Sequence, residues 1–175
     1  RQIRQAAENC TIEVLVPDFA GDVRSLETVL DARPEVLGHN METVFRLYRK
    51  VRPGADYRRS LDLLAHAKAY SPEVLTKSGI MVGLGESMDE VEQTLRDLRG
   101  AGCDILTIGQ YLRPTRAHLP IAAYHTPDEF KELENLGYAL GFARVAAAPL
   151  ARSSYRAGEH VRELLSMSAN TVPSR

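Results

Sequence analysis

Apolar positions along the chain repeat with two periods, one typical of strands and one typical of helices. Short apolar runs that end in turn residues predict strands, and apolar residues spaced three and four apart predict helices between them. The predicted strands cover 11–16, 36–40, 78–84 and 104–109, and a last extended segment begins at Arg144. Because helices separate the strands, the pattern predicts an α/β fold with a parallel sheet.

Helix boundaries are marked by capping residues at several points. The segment Ser87-Met88-Asp89-Glu90 has the form of a capping box, and Thr126 followed by Pro127 marks another helix start. Helices are also predicted to begin at Asp22, to end at Val51 before a Pro-Gly pair, and to cover 57–70 and 161–168. The first eight residues have the composition of the middle of a helix, so we expect the chain to be part of a longer protein.

Length, composition and charge argue against some classes of function. The chain has 175 residues, of which 44% are hydrophobic, and it carries 22 basic and 23 acidic residues for a net charge of −1. This size suits one domain with a substantial core, and the charge balance argues against a nucleic-acid partner. No apolar run has the length of a membrane span. Cys10 and Cys103 lie far apart, which predicts two buried free thiols in a reducing cytoplasm.

Polar residues follow the predicted strands at Asp18, His39, Asn40, Glu86 and Gln110. In barrel-type α/β proteins, functional sites lie at this carboxyl edge of the sheet. Asn40 and Glu42 allow two interpretations. They can begin a helix, with Asn40 as its cap, or an amide and a carboxylate together can bind the diol of a ribose.

A glycine-rich strand raises a second pair of alternatives. The segment 79–86 lacks the pattern of a phosphate-binding loop, so its glycines serve either close approach to a flat ligand or tight strand packing before a turn. Lys77 and Ser78 precede it. A lysine in a buried strand requires an anionic partner or an extended side chain that reaches solvent.

The carboxyl-terminal segment is polar and basic, and the simplest interpretation of 152–157 is a solvated turn. The five histidines have no metal-ligand spacing. Taken alone, these residues leave the function open.

Several blocks of residues nevertheless occur in a specific order, at 13–19, 39–44, 51–57, 76–86, 106–112 with 114–115, 118–120 and 152–157. In this order and at these spacings they resemble the lipoyl synthase family, over nearly the whole chain. The sequence differs from the usual family pattern at Met81, at Arg113 and at 146–148.

The resemblance implies a radical S-adenosylmethionine enzyme, a sulfurtransferase, built as a (β/α)6 partial TIM-type barrel. This chain would be that barrel truncated at its N-terminus. Residues 1–150 would be the carboxyl-terminal half of that barrel, and 151–175 a tail. Such enzymes use a reduced iron–sulfur cluster to generate a 5′-deoxyadenosyl radical, which removes hydrogen from carbons 6 and 8 of a protein-bound octanoyl group. A second, auxiliary cluster donates two sulfur atoms.

The same resemblance assigns residues to the site. Asn40 and Glu42 would bind the ribose of S-adenosylmethionine, and Gly79, Met81, Gly83 and Glu86 would belong to the strand that backs its adenine. Lys77 and Ser78 would also bind the cofactor. Ser154 would ligate one iron of the auxiliary [4Fe–4S] cluster. The cysteines of both [4Fe–4S] clusters would lie upstream, so the chain alone is expected to be inactive.

The implied partners are octanoylated lipoyl domains of 2-oxoacid dehydrogenases or the glycine-cleavage carrier protein, together with an electron donor. Neither nucleic acid nor a membrane is implied, and the compartment is cytoplasmic. Two other functions fit the sequence less well. One is a sulfur-inserting radical enzyme similar to biotin synthase, and the other is a non-catalytic homologue that binds acylated carrier domains.

Overall fold

A computed structural model describes residues 2–7 and 10–153 of the chain. Its centre is a five-stranded sheet in which every strand is parallel to its neighbours and the spatial order is the chain order. The strands are β1 (Glu13–Leu15), β2 (Val36–Gly38), β3 (Leu75–Val82), β4 (Ile105–Gln110) and β5 (Arg144–Ala148). The predicted α/β class with parallel strands is therefore confirmed.

A short helix, α1 (Gln2–Ala6), precedes β1, and helices connect consecutive strands, as parallel pairing requires. The connecting helices are α2 (Val23–Leu30), α3 (Tyr48–Val51), α4 (Tyr57–Tyr70), α5 (Met88–Gly100) and α6 (Pro127–Ala139). Both predicted helix starts are confirmed, because Ser87 forms a complete capping box with Glu90, and Thr126 forms one with Glu129. Arg46 also binds the Glu90 carboxylate, and this pair holds the Glu90 pKa down at about 2.

The core lies between the sheet and the helices. Ile80 and Val82 of β3 pack there with apolar residues of α4, α5 and α6, such as Leu64, Leu95 and Phe130. Their strand neighbours Gly79 and Met81 point to the opposite, inner face, because successive side chains of a strand alternate.

The inner face is filled at one end and open at the other. Near the amino ends of the strands, Val36 and Ile105 pack together with Leu75. Toward the carboxyl ends the aligned residues are small: Gly79 lies opposite Thr107 and then Ala146, and Met81 lies opposite Gly109 and then Ala148. Small side chains in these last rows leave space at the carboxyl edge of the sheet.

Three sequence predictions need correction or completion. No helix begins at Asn40; a turn occupies 39–44, and a short 3₁₀ helix (Phe45–Leu47) precedes α3 without a side-chain cap. Cys10 is exposed rather than buried, whereas burial raises the pKa of the Cys103 thiol to about 12. The predicted helix at 161–168 lies outside the described residues. Within the described part, no helix is long and apolar enough to cross a bilayer.

Candidate functional site

A cavity of about 240 Å³ opens on the inner face at the carboxyl edge of the sheet. Four of the predicted cofactor-binding residues line it, namely Asn40, Glu42, Gly79 and Met81, and the rest of the wall is Ile80, Thr107, Gly109, Ala151, Arg152 and Ser153. A second cavity of about 270 Å³ shares Asn40 and Glu42 and extends toward β1 and Arg52. The tertiary structure therefore places Asn40 and Glu42 where the two cavities meet.

Gly79 explains how the Asn40 side chain fits over the sheet. A methyl group in place of the Gly79 hydrogen would lie 3.2 Å from Asn40 Oδ1 and 3.5 Å from the Thr107 carbonyl oxygen. The absence of a side chain at this position allows the Asn40 amide to lie directly against the β3 backbone. Gly79 thus allows close packing of the Asn40 side chain on the strand, and its predicted approach to a flat ligand stays a prediction.

Glu42 is held in place by its backbone while its carboxylate is unengaged. Its amide donates to the Gly79 carbonyl at 2.8 Å, and its carbonyl accepts from the Met81 amide at 2.8 Å. The residue has φ of 70°, a left-handed conformation that costs about 1–2 kcal/mol for a residue with a side chain. Among the described residues, no hydrogen bond engages the Glu42 carboxylate or the Asn40 amide side chain.

Such an arrangement is typical of a binding site. Backbone strain of this kind persists only where the surrounding structure imposes it, and it concentrates where ligands bind. An amide and a carboxylate that face a cavity without partners can donate to and accept from the hydroxyl groups of a ligand. The helix-cap interpretation of Asn40 is wrong, since no helix begins there.

Ser78 holds the turn from the other face of β3. Its hydroxyl oxygen is fully buried and accepts a hydrogen bond from the Met41 amide at 3.1 Å. Ser78 lies outside both cavities, so the contact that the structure shows for it is support of the turn between Asn40 and Glu42.

A chain of buried hydrogen bonds supports the same turn, and we refer to it as the relay. Arg52 Nη1 lies 2.8 Å from the Asn40 carbonyl oxygen and 2.6 Å from Tyr48 Oη. Tyr48 Oη lies 2.7 Å from Ser60 Oγ, which is 2.9 Å from His39 Nε2, and His39 Nδ1 lies 3.0 Å from the Val16 carbonyl oxygen.

Chemistry determines the direction of every proton in the relay. The Val16 carbonyl can only accept, so in the neutral ring Nε2 of His39 accepts from Ser60, Ser60 accepts from Tyr48, and Tyr48 accepts from Arg52. Nδ1 of His39 then carries the proton that is donated to the Val16 carbonyl. This assignment needs a neutral imidazole, which agrees with burial lowering the His39 pKa. The relay therefore links the end of β1 to the Asn40 carbonyl.

We expect Ser60→Ala to lower the free energy of unfolding by about 2–3 kcal/mol, because it leaves His39 Nε2 buried without a partner and removes the acceptor of the Tyr48 hydroxyl proton. Urea denaturation of the full-length protein measures this. Thr43→Val is the matched control, since the buried Thr43 hydroxyl has no partner in the described part of the chain and its removal should cost nothing. Equal losses in the two variants would show that the relay contributes no stability.

Lys77 has an anionic partner, one of its two predicted alternatives. Its ammonium lies 2.7 Å from the Glu13 carboxylate, and only 3% of its side chain is exposed. The pair joins β3 to β1 across β2. Lys77 lines neither cavity, so its predicted contact with a cofactor stays a prediction.

Gly83 also lies outside the cavities. It has φ of 100°, its carbonyl accepts from the Ala122 amide at 2.8 Å, and its amide donates to the Glu86 carboxylate. The loop between β4 and α6 covers it directly. In the structure, Gly83 therefore lies in a turn and packs against the β4–α6 loop. Its predicted contact with adenine stays a prediction.

Six lining residues were not predicted as site residues from the sequence, among them Thr107 and Arg152. Thr107 belongs to the cavity because it pairs with Gly79 on the inner face, an alignment that depends on the strand register. Arg152, whose guanidinium donates to the Ala151 carbonyl at 2.6 Å, belongs to the segment 152–157 that was interpreted as a solvated turn. Ser154, the predicted iron ligand, lies outside the described residues, as does the rest of the predicted tail at 155–175. Residues 2–7 and 10–153 contain no cluster of three potential metal ligands.

Comparisons with known proteins agree on one family. Residues 1–98 match the model of the radical SAM superfamily. The lipoyl synthase of Rubrobacter xylanophilus is 56% identical over 163 residues, which are 93% of this chain and 51% of that protein. The lipoyl synthase of Thermus thermophilus is 56% identical over 158 residues, 90% of this chain and 49% of that protein.

A third relative, the lipoyl synthase of Caldanaerobacter subterraneus subsp. tengcongensis, is 57% identical over 84% of this chain and 52% of its own length. The chain thus spans about half the length of these curated relatives. Among solved structures, methylornithine synthase aligns with a TM-score of 0.59 at 15% identity, over 99% of this chain and 61% of that one. At this identity the likeness concerns the fold, and it agrees with a partial barrel.

Proposed function

The chain belongs to the radical SAM superfamily, and from this premise we propose that it is the carboxyl-terminal half of a lipoyl synthase. The whole enzyme would insert two sulfur atoms at carbons 6 and 8 of a protein-bound octanoyl group. The observation that carries the proposal is the cavity where Asn40 and Glu42 present unengaged polar groups above Gly79. Identity above 50% to lipoyl synthases over most of the chain supports it.

The residues present suit the nucleoside of S-adenosylmethionine. Its ribose diol needs one acceptor and one group that both donates and accepts, which the Glu42 carboxylate and the Asn40 amide provide. Gly79 and Gly109 add no side chain to the cavity wall, and the groups that lie over them are the Asn40 amide and the Ala151–Arg152 segment. Met81 adds a polarisable apolar contact. Ser78 and the relay would hold the Asn40–Glu42 turn rigid, so that little ordering accompanies binding.

When bound, the cofactor and a [4Fe–4S] cluster would supply the radical that removes hydrogen from the octanoyl chain. The proposed metal ligand in this chain is Ser154, in the proposed tail at 151–175, for a second [4Fe–4S] cluster that donates sulfur. A serine oxygen is a harder ligand than a thiolate and is easier to displace from iron, which suits a cluster that is taken apart during turnover. Arg152 would contribute positive charge beside that anionic cluster.

The remaining cluster ligands would be cysteines elsewhere in the longer protein, so this chain alone would be inactive. Its proposed partners are an electron donor and octanoylated lipoyl domains or the glycine-cleavage carrier protein. The proposed compartment is the cytoplasm, whose reducing conditions suit the free thiols Cys10 and Cys103.

The test is anaerobic assay of the reconstituted full-length protein with an octanoylated lipoyl domain, a reductant and S-adenosylmethionine. We expect both 5′-deoxyadenosine and lipoyl product. A protein that binds the octanoylated domain but forms neither would be a non-catalytic binder. Formation of 5′-deoxyadenosine with sulfur insertion only into a free small molecule would favour an enzyme similar to biotin synthase.

A further inference from the structure

Basic residues are concentrated in two segments of the chain. Residues 45–59 carry six basic residues and only Asp56 as an acid, and residues 105–127 carry Arg113 and Arg116 with no acid. The chain as a whole has 22 basic and 23 acidic residues, which leaves 14 basic and 22 acidic outside these segments. The small net charge therefore conceals a strong segregation of charge.

Both segments lie at the same edge of the sheet. The first follows β2 and the second contains β4 and the loop after it, and the carboxyl ends of parallel strands share one edge. The cavity with Asn40 and Glu42 opens at this edge, between the two segments. The cations of the two segments thus lie at the edge of the sheet onto which the proposed site opens.

Many of these cations have no carboxylate partner. Elsewhere on the surface, several basic side chains are paired, as in Arg4–Glu35, Lys68–Asp104 and Arg96–Glu92, and Arg24 and Arg33 form no ion pair with any described residue. By contrast, four exposed cations at the carboxyl edge form no ion pair with any described residue: Arg49, Lys50, Arg58 and Arg116. Arg113 donates only to the backbone carbonyls of Arg116 and His118.

Several acids at this edge are engaged, but two are not. Asp18 binds Arg59 at 2.6 Å, Asp56 accepts from an amide at the start of α4, and Glu86 accepts from the amides of Gly83 and Leu84. Asp89 and Asp128, in the first turns of α5 and α6, are exposed and form no ion pair with any described residue. Cations without an ion pair outnumber these two acids at the carboxyl edge, and such an excess attracts a negatively charged partner and accelerates association.

We propose that Arg49, Lys50, Arg58 and Arg116 form a docking surface for an acidic face of the protein that carries the acyl-lysine. This inference rests on the proposed function, because a substrate attached to a folded domain must be delivered to the cavity while that domain stays outside. A cationic rim that flanks the entrance would orient the domain and leave the cavity free for the acyl chain.

The test compares two substrates in the full-length enzyme. One is an octanoylated lipoyl domain, and the other is a short uncharged peptide with one octanoyl-lysine, which reaches the cavity without contacting the rim. We expect Lys50→Glu and Arg116→Glu each to raise KM for the domain about fivefold to fiftyfold at low salt, with KM for the peptide and kcat unchanged. Added salt should raise the wild-type KM for the domain.

Arg33→Glu is the matched control. Arg33 is an exposed cation without an ion pair among the described residues, but it precedes β2 at the opposite edge of the sheet. The control should leave both KM values unchanged. An equal KM for the domain in wild type, Lys50→Glu and Arg116→Glu would overturn the docking surface while leaving the proposed function intact.

Other outcomes are equally decisive. A parallel rise in KM for the peptide would mean that the cations act on the cavity rather than on a partner. Competition by double-stranded DNA or by vesicles containing anionic lipid, lost on charge reversal, would assign the rim to a different macromolecule. Conversion of neither substrate by the wild-type enzyme would reject the proposed function itself.

Discussion

Gly83→Ala is expected to lower the free energy of unfolding of the full-length protein by about 2–4 kcal/mol, the sum of backbone strain and overpacking. A side chain at φ of 100° is strained whatever space surrounds it. In addition, the new methyl group would lie 2.5 Å from the Ala123 carbonyl oxygen and still closer to Gln110 Nε2. The β4–α6 loop would have to move away from β3.

Gly85→Ala separates the two contributions. Gly85 has a nearly identical φ of 99°, but the nearest atom to an added methyl group would be the Ala122 side chain at 3.5 Å, an ordinary contact. This variant should lose only the strain, about 1–2 kcal/mol. Urea denaturation measures both variants. Equal losses of unfolding free energy at the two positions would show that the loop moves aside without cost. The close packing around Gly83 would then contribute nothing to stability.

Glu42→Gln is expected to weaken binding of S-adenosylmethionine by about tenfold to a hundredfold, since a hydrogen bond to a charged group is worth about 1.5–3 kcal/mol. Stability should change by less than about 0.5 kcal/mol, because the carboxylate forms no hydrogen bond or ion pair with any described residue and the backbone conformation is kept. Equilibrium binding to the cluster-containing full-length protein measures the affinity, and urea denaturation measures the stability.

Glu73→Gln provides the control for the charge change. Glu73 is exposed and precedes β3, at the edge of the sheet opposite the cavity. It should leave both the affinity and the stability unchanged. Unaltered affinity in Glu42→Gln, with the fold intact, would remove Glu42 from the proposed ribose contact. A loss of stability without a loss of affinity would make Glu42 a structural residue of the turn.

Local sequence determined most of the secondary structure. The capping boxes at Ser87 and Thr126 specify helix starts through contacts within four residues, and the helix at 57–70 was predicted with its observed limits. Strand centres were identified correctly because buried apolar runs differ from amphipathic helices. The error after Asn40 has a local cause: a polar turn and a helix start share the same residue types, and only the pairing of Glu42 with β3 distinguishes them.

The tertiary structure decided which partners the polar residues and glycines contact. Lys77 is paired with a carboxylate 64 positions away, and Gly83 is covered by a loop that begins after the next strand. The relay joins Tyr48 of α3 and Ser60 of α4 to the segments after β1 and β2, and the cavity is lined by residues that the register of β3 and β4 places side by side. Such contacts depend on strand order and register, which no local pattern encodes. The resemblance to a family identified Asn40 and Glu42, but only the fold shows that both face one cavity with their polar groups unengaged.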